Sequence, residues 1–454
     1  MRLALVVPNA VTHFGDIGPP LNLATLAAYA REQLPEWEVK IFDGTVKGVN
    51  VYYELMGFQP DVVGATATSP QINSAYKLLE SLRAANPEIL TIIGGCHASA
   101  LSEEASAHAD CVVVGEGEHA LVGILKMKQK NSAIPKIIEG TPFENLDELP
   151  LPAYDLLNMD SYIDFVMMSA YGLQHPTGRM MTSRGCNYRC PFCYNSVRNS
   201  KVRYRSAKKI VEELEYLHEQ YGIKSVWYHD DEFLANKKRF REFISLLSDS
   251  KIKEKMEWAC QARVDSINDE TAKLAKDNGC IEIFMGIESA TPKTLKYLKC
   301  DTITVEDVER ALKICKKYTL PVHGSFIFGS PDETLSDMKQ TWTWINTHRA
   351  LMVSIGVIVV TPFPASKLWE YMKGKQVNYD NLGFHGELSQ KYVIDEAITL
   401  KDFEGFMKDK VLLSWFGNQV ATRSLWRAMA HKTSGLMLLK HPVDTLQIIW
   451  SKRL

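Results

Sequence analysis

An excess of either charge is missing from this chain. Lys and Arg number 52 against 54 Asp and Glu, for a net charge of -2. That balance removes the usual electrostatic reason to expect nucleic acid or an anionic membrane surface as the main partner. Long apolar runs are missing too. The longest candidate, Val353 to Val360, is far short of the ~20 residues a membrane-spanning helix needs, and it fits a buried strand. The apolar start, Met1 to Pro8, is too short for a signal sequence. Asn9, His13 and Asp16 follow at once, so it reads as a strand. No repeat and no low-complexity tract occurs. A disulfide framework is absent as well: the 9 cysteines are odd in number and three of them crowd one stretch, a usage that fits a reducing cytoplasm. At 454 residues the chain has room for two or three domains, each with its own core.

What is present is one dense motif, Arg184-Gly185-Cys186-Asn187-Tyr188-Arg189-Cys190-Pro191-Phe192-Cys193. Thiolates spaced C-x3-C-x2-C on a loop can wrap one iron–sulfur cube. Three protein ligands to four irons leave one iron open to substrate or cosubstrate. A zinc knuckle or three unrelated core cysteines is the competing reading. Zinc would want a fourth Cys or His close by, and the nearest histidine, His175, precedes the strand Met180–Ser183 that delivers the loop. The other cysteines, Cys96, Cys111, Cys260, Cys280, Cys300 and Cys315, are scattered and read as core or surface thiols. The loop resembles that of the radical S-adenosylmethionine (SAM) enzymes, in which an aromatic residue, here Phe192, usually precedes the third cysteine.

Upstream, apolar strand candidates alternate with helical patterns from residue 1 to about 130, which predicts a doubly wound, flavodoxin-like parallel sheet. Ligands on such sheets lie beyond the carboxyl ends of the strands. Those ends carry Asp43-Gly44-Thr45, Thr66-Ala67-Thr68-Ser69, Gly94-Gly95-Cys96-His97 and Gly115-Glu116-Gly117. Glycines admit a large planar ligand and hydroxyls can bond its rim. Placed before a radical SAM loop, this set resembles a cobalamin-binding domain, with Thr45, Thr66, Thr68, Ser69, Gly94, Gly95, His97, Gly115, Glu116 and Gly117 as candidate contacts. Cobalamin proteins that ligate cobalt through histidine carry D-x-H-x-x-G after the second strand. Asp43 and Gly48 keep that frame, but Thr45 stands in the histidine position. The resemblance therefore implies cobalamin without a histidine on cobalt, and His97 as a lining residue.

Residues 131–175, broken by Pro135, Pro142, Pro150 and Pro152, read as an ordered connection. From 176 to about 365, six strand–helix units predict a partial (β/α)6 barrel with its site at the strands' carboxyl ends. The resemblance assigns SAM contacts there: Asp230 and Asp231 to the amino group, Gln261 and Arg263 toward the carboxylate, Glu288 and Ser289 to ribose or the methionine end, and Ile327 to adenine by its backbone. Ser325 and Asp332 stand where glycine is commoner in the adenine-binding stretch. Residues 366–454 mix aromatic and basic side chains and read as helices packed on the barrel, or as a substrate lid.

Two motif sets in this order resemble the cobalamin-dependent radical SAM methyltransferases. The resemblance implies a 4Fe–4S cluster on Cys186, Cys190 and Cys193, SAM cleaved at the open iron, and methylcobalamin giving a methyl group to an unactivated carbon. It also implies an electron donor such as flavodoxin or ferredoxin, and a small-molecule, peptide or protein substrate. A cobalamin-using radical SAM cyclase or rearrangement enzyme without methyl transfer is the alternative. A non-catalytic cobalamin or redox sensor is a third reading, disfavoured by the polar strand ends.

Overall fold

The computed structural model describes residues 1–9, 18–163, 173, 175–196, 201–372, 379, 401–403, 405–407 and 410. The chain divides into two compact units. The first comprises Met1–Phe165, Arg203–Arg205 and Phe363–Gly383; the second comprises Val166–Val202, Ser206–Pro362 and Phe384–Leu454.

In the first unit, β1 (Arg2–Val7), β2 (Glu38–Asp43), β3 (Val62–Thr66), β4 (Leu90–Gly94), β5 (Cys111–Val114) and β6 (Ile137–Glu139) form one sheet in the order β2-β1-β3-β4-β5-β6. All pairs are parallel. The strands are continuous apolar runs because both faces are covered. On β1, Leu3, Leu5 and Val7 enter the core formed with α1 (Leu21–Gln33) and α6 (Glu118–Gln129). Ala4 and Val6 enter the opposite core, formed with α2 (Val51–Phe58) and α3 (Ile72–Ala85). The winding direction reverses between β1 and β3, which sets the switch point at their carboxyl ends. Two short helices, α4 (Cys96–Ala100) and α5 (Ser102–Ser106), follow β4, where the sequence suggests a single helix at Leu101–Ala107. A further turn, α7 (Asp160–Ile163), brings Tyr162 into the unit.

The second unit winds one way. Strands β7 (Thr177–Met180), β8 (Ser225–Tyr228), β9 (Glu257–Ala262), β10 (Cys280–Glu288), β11 (Val322–Phe328) and β12 (Ser354–Val359) lie side by side in chain order and all parallel. This is the strand order of a partial (β/α)6 barrel wall. The helices between them are α8 (Ala207–Tyr221), α9 (Lys237–Asp249), α10 (Asp269–Asp277), α11 (Pro292–Lys299), α12 (Val305–Lys317) and α13 (Leu335–Thr347). Their starts are encoded locally. Ser206, Asn236, Asn268, Thr304 and Thr334 each accept from the backbone N–H three residues on, which satisfies one of the orphan donors at a helix start. α11 instead opens with Pro292 in its first turn.

Behind β8 and β9 an aromatic core forms around Trp258, which is fully buried and donates from Nε1 to the Asn278 carbonyl at 2.7 Å. Tyr228 stacks on Phe233 with centroids 4.2 Å apart, and Phe243 packs edge-on to both Tyr228 and Phe233. Burying Phe233 pulls the Asp230-Asp231-Glu232 turn down onto the strand end. Among the described residues, no helix is long and apolar enough to cross a membrane. Most of 366–454 lies outside the described residues, including Trp415, Phe416, Arg423, Trp426 and Arg427.

Candidate functional site

The cysteine loop leaves the carboxyl end of β7. Gly185, at φ +89°, turns the chain into it, a conformation that excludes most side chains. Cys186, Cys190 and Cys193 are all half-buried. The loop holds its own shape: the Cys193 N–H donates to the Cys190 carbonyl at 3.0 Å, and Arg189 Nη1 donates to the carbonyls of Cys186, Tyr188 and Asn195. Burial pushes all three thiols up, Cys193 to about 12. Such thiols stay protonated unless a cation takes them over. Among the described residues no group of three or more His, Cys, Asp or Glu is arranged to hold a metal ion. Three half-buried thiols on one loop are the donor type and number that a four-iron cube with one open iron takes.

Asp230 is buried at 1 % exposure, with its carboxylate turned to the strand that precedes the loop. Its oxygens accept from Thr182 N at 3.1 and 3.2 Å, from Thr182 Oγ1 at 2.8 Å and from Ser183 Oγ. Arg239 Nη1 donates to the Thr182 carbonyl and hydroxyl. Asp230 therefore braces the entry to the loop, and its neighbour Asp231 is the exposed member of the pair. Asp231 accepts from Asn195 Nδ2, on the far side of the loop, at 2.9 Å. Gln261 is exposed in the middle of the sheet, between buried Cys260 and Ala262, and so faces the open interior. Arg263 is nearly buried, with its side chain 9 % exposed. Its Nε and Nη2 bond Asp265 at 3.1 and 3.5 Å, Nη2 bonds Thr302 Oγ1 at 2.9 Å, and its guanidinium lies 3.3 Å over the Tyr188 ring. Only Nη1 is left to face the loop.

Glu288, at φ +67°, ends β10 and pairs with Lys299 Nζ at 2.7 Å, both side chains buried. A Cβ on Gly286 would lie 2.5 Å from that carboxylate, so the pair occupies the space a side chain there would take. Ser289 is fully buried, bonded to Thr291 and Thr341, and faces away from solvent. Ile327 is buried and in register with Ile358 on β12. Beyond it, Asp332 has φ +60°, which accounts for the preference for glycine at that place. Glu333 closes the turn by accepting from Gly329 and Ser330 N–H at 2.6 and 3.1 Å. Burial raises its carboxyl to about 7 despite those bonds. Phe192 is half-buried beside Pro191.

In the first unit the candidate cobalamin residues lie at the carboxyl ends of β2, β3, β4 and β5. Gly95, at φ +93°, has no room for a Cβ, which would meet Thr66 Oγ1 at 2.7 Å. Gly115 has φ +90°, while Gly94 and Gly117 keep ordinary backbone angles. Thr68 is exposed and Ser69 is buried. His97 is 1 % exposed, with Nδ1 3.0 Å from Ser69 Oγ and Nε2 3.3 Å from Glu104 Oε1. Glu104 also accepts from Tyr76 and, at 2.7 Å, from Tyr379. Both nitrogens of His97 are committed, so ligation of cobalt would cost it a partner. Thr45 turns inward: its N–H and hydroxyl donate to Asp43 Oδ1 at 2.9 and 2.6 Å, and Tyr162 donates to Oδ2 at 2.8 Å. Asp43 thus holds a threonine and a tyrosine in this frame. Glu116 is bound by Arg203 through Nη1 at 3.0 Å and through Nη2.

Several of these partners carry no warning in the sequence. Lys299, Tyr188, Thr302 and Tyr162 look like ordinary helix, loop or linker residues, and only the fold brings them to the site. Glu232 had a signal in the Asp230-Asp231-Glu232 run. It is buried, accepts from the Arg263 N–H, and burial lifts it to about 7.

These features define a class: an enzyme with a switch-point ligand domain and a barrel carrying a three-cysteine loop. The B12 binding domain pattern matches residues 9–125 and the radical SAM superfamily pattern matches residues 180–345. The chain is 34% identical over 441 residues to an uncharacterised methyltransferase of Pyrococcus horikoshii, with 91% of each chain covered. It is 26% identical to the anaerobic magnesium-protoporphyrin IX monomethyl ester cyclase of Rubrivivax gelatinosus, covering 84% of this chain and 71% of that one. It shares its fold with TsrM from Kitasatospora setae, a radical SAM methyltransferase with cobalamin and a [4Fe-4S] cluster bound. There the TM-score is 0.64 at 18% identity, with 83% of this chain and 79% of that one covered. The chain belongs to the cobalamin-dependent radical SAM methyltransferase family. Membership implies a 4Fe–4S cluster, SAM and cobalamin as cofactors, and a reductant.

Proposed function

We propose that this protein methylates an unactivated carbon of its substrate, using a 4Fe–4S cluster and methylcobalamin. The observation that carries the reading is the half-buried three-thiol loop at the end of a one-way parallel wall, in a chain that also folds a doubly wound switch-point sheet. When bound, the cluster supplies the electron that cleaves SAM, and cobalamin supplies a transferable methyl group. Cys186, Cys190 and Cys193 hold the cluster. Asp231 and Gln261 present polar atoms to SAM, Arg263 offers to the carboxylate the Nη1 hydrogen that does not face Cys190, and the backbone at Ile327 takes adenine. Asp230, Glu288 and Ser289 act from beneath, by fixing the strand ends. The first unit receives cobalamin at Thr45, Thr66, Thr68, Ser69, Gly94, Gly95, His97, Gly115, Glu116 and Gly117. The divisions at 1–130, 131–175, 176–365 and 366–454, with the last as a possible substrate lid, belong to this reading. So does flavodoxin or ferredoxin as donor.

The test is product accounting with methyl-labelled SAM and clarified cell extract as the substrate source. S-adenosylhomocysteine and 5′-deoxyadenosine are expected in similar amounts, with label in a product carbon. The cyclase-type relative makes a specific second reading worth separating. Turnover that yields 5′-deoxyadenosine without S-adenosylhomocysteine would replace methylation with that reading.

Cobalt is expected to carry no protein nitrogen, because Thr45 is turned to Asp43 and His97 is committed on both sides. Electron paramagnetic resonance of the cob(II)alamin form checks this. Nitrogen superhyperfine splitting that vanishes in His97→Ala would defeat it.

A further inference from the structure

Arg263 makes one contact that SAM binding does not require. Its Nη1 lies 3.8 Å from the Cys190 sulfur, within reach of an N–H···S hydrogen bond. The guanidinium cannot swing away easily. Asp265 takes Nε and one edge of Nη2, Thr302 takes Nη2, and the Tyr188 ring supports its face at 3.3 Å. Tyr188 is itself tied to Asp265 at 2.9 Å, so the loop between Cys186 and Cys190 and the end of β9 clasp one another around this cation. A guanidinium held in a plane by three partners has its remaining donor aimed in advance.

We infer that Arg263 is a positioning residue for the cluster: it donates a hydrogen bond to the Cys190 thiolate and thereby raises the cluster's reduction potential. The inference rests on the cluster reading above. The sign follows from charge. Reduction adds an electron to the cluster and its thiolates, and a donor aimed at one sulfur stabilises that added charge. Asp265 offsets much of the net charge of Arg263, so the effect is that of a directed N–H more than of a free cation. Lys299, the other cation near Cys190, is neutralised by Glu288 at 2.7 Å.

The experiment is a potentiometric titration of the reconstituted full chain, followed by electron paramagnetic resonance of the reduced cluster, without SAM so that the carboxylate contact is not read. Arg263→Gln is expected to hold a four-iron cluster and to shift its midpoint to lower potential. Asp265→Asn, which keeps an acceptor for Arg263 but removes the offsetting charge, is expected to shift it to higher potential. An Arg263→Gln midpoint equal to wild type overturns the inference. If Arg263→Gln assembles no cluster, Asp265→Asn decides: a rise supports the inference, and an unchanged or lower midpoint overturns it. Iron analysis of the wild-type chain separates the two levels, since a chain without four irons defeats the cluster reading and leaves no midpoint to compare.

Discussion

Cys186→Ala is expected to emerge from anaerobic reconstitution without a stable 4Fe–4S cluster and to form no 5′-deoxyadenosine, while binding cobalamin about as well as the wild type. Each part has a structural reason. A cube with two protein thiolates and two open irons loses the third anchor that fixes its orientation. Cys186 itself contributes little to folding, being half-buried on a loop whose shape is set by Arg189 and by the Cys193-to-Cys190 backbone bond. The cobalamin candidates all belong to the other unit. Iron and sulfide analysis with visible absorbance reads the first part, chromatography of the nucleoside product the second, and cobalamin titration the third. A variant that retains four irons and cleaves SAM at the wild-type rate would remove Cys186 from the ligand set.

The second large effect is on stability. Asp230→Ala is expected to destabilise the barrel unit by ~3 kcal/mol or more, because it leaves the buried Thr182 N–H and the Thr182 and Ser183 hydroxyls without their acceptor. The lost partners are specific: the Thr182 N–H and hydroxyl, the Ser183 hydroxyl, and the field of Arg239, which continues to bond Thr182 and Phe233. For a unit of this size that corresponds to a fall of roughly 5–10 °C in melting temperature. Asp230→Asn keeps an acceptor and should lose less. Since Thr182 and Ser183 lead directly into the cysteine loop, cluster loading should fall along with stability. Thermal unfolding within a degree or two of wild type for Asp230→Ala would show the brace to be dispensable.

The strands were legible because they are long apolar runs covered on both sides. The sequence reads β10 at Ile281–Gly286 and β11 at Gly324–Phe328; the structure adds one residue before and two after the first, and two before the second. The strand before the cysteine loop shows where such reading fails. Met180–Ser183 looks like a strand, yet the sheet takes Thr177–Met180. Thr182 and Ser183 give their donors to Asp230, a carboxylate 48 residues away from Thr182, and no local pattern announces that. α11 is not among the helical patterns read from the sequence; it has Pro292 in its first turn, where a proline suits a helix. The three-cysteine loop was visible from spacing alone. The company it keeps was not: Arg263 meets Cys190 across 73 residues and Lys299 meets Glu288 across 11, through turns whose geometry depends on the aromatic core around Trp258.

Tyr379 bears on how the chain is made. Its hydroxyl closes the group formed by Glu104, His97 and Ser69, and its ring stands edge-on to His97 with centroids 4.7 Å apart. Arg203, which clasps Glu116, also belongs to the first unit though it lies beyond the cysteine loop in sequence. A ribosome adding ~5–20 residues per second needs roughly 20–75 s to reach Tyr379. For the part of that interval after β6 has been made, residues 140 to 379, all strands of the sheet are present while Glu104 still waits for one of its donors. The N-terminal unit therefore cannot be finished first and set aside while the barrel is made, and a fusion or exchange that cuts between the two motif sets would separate it from side chains it needs.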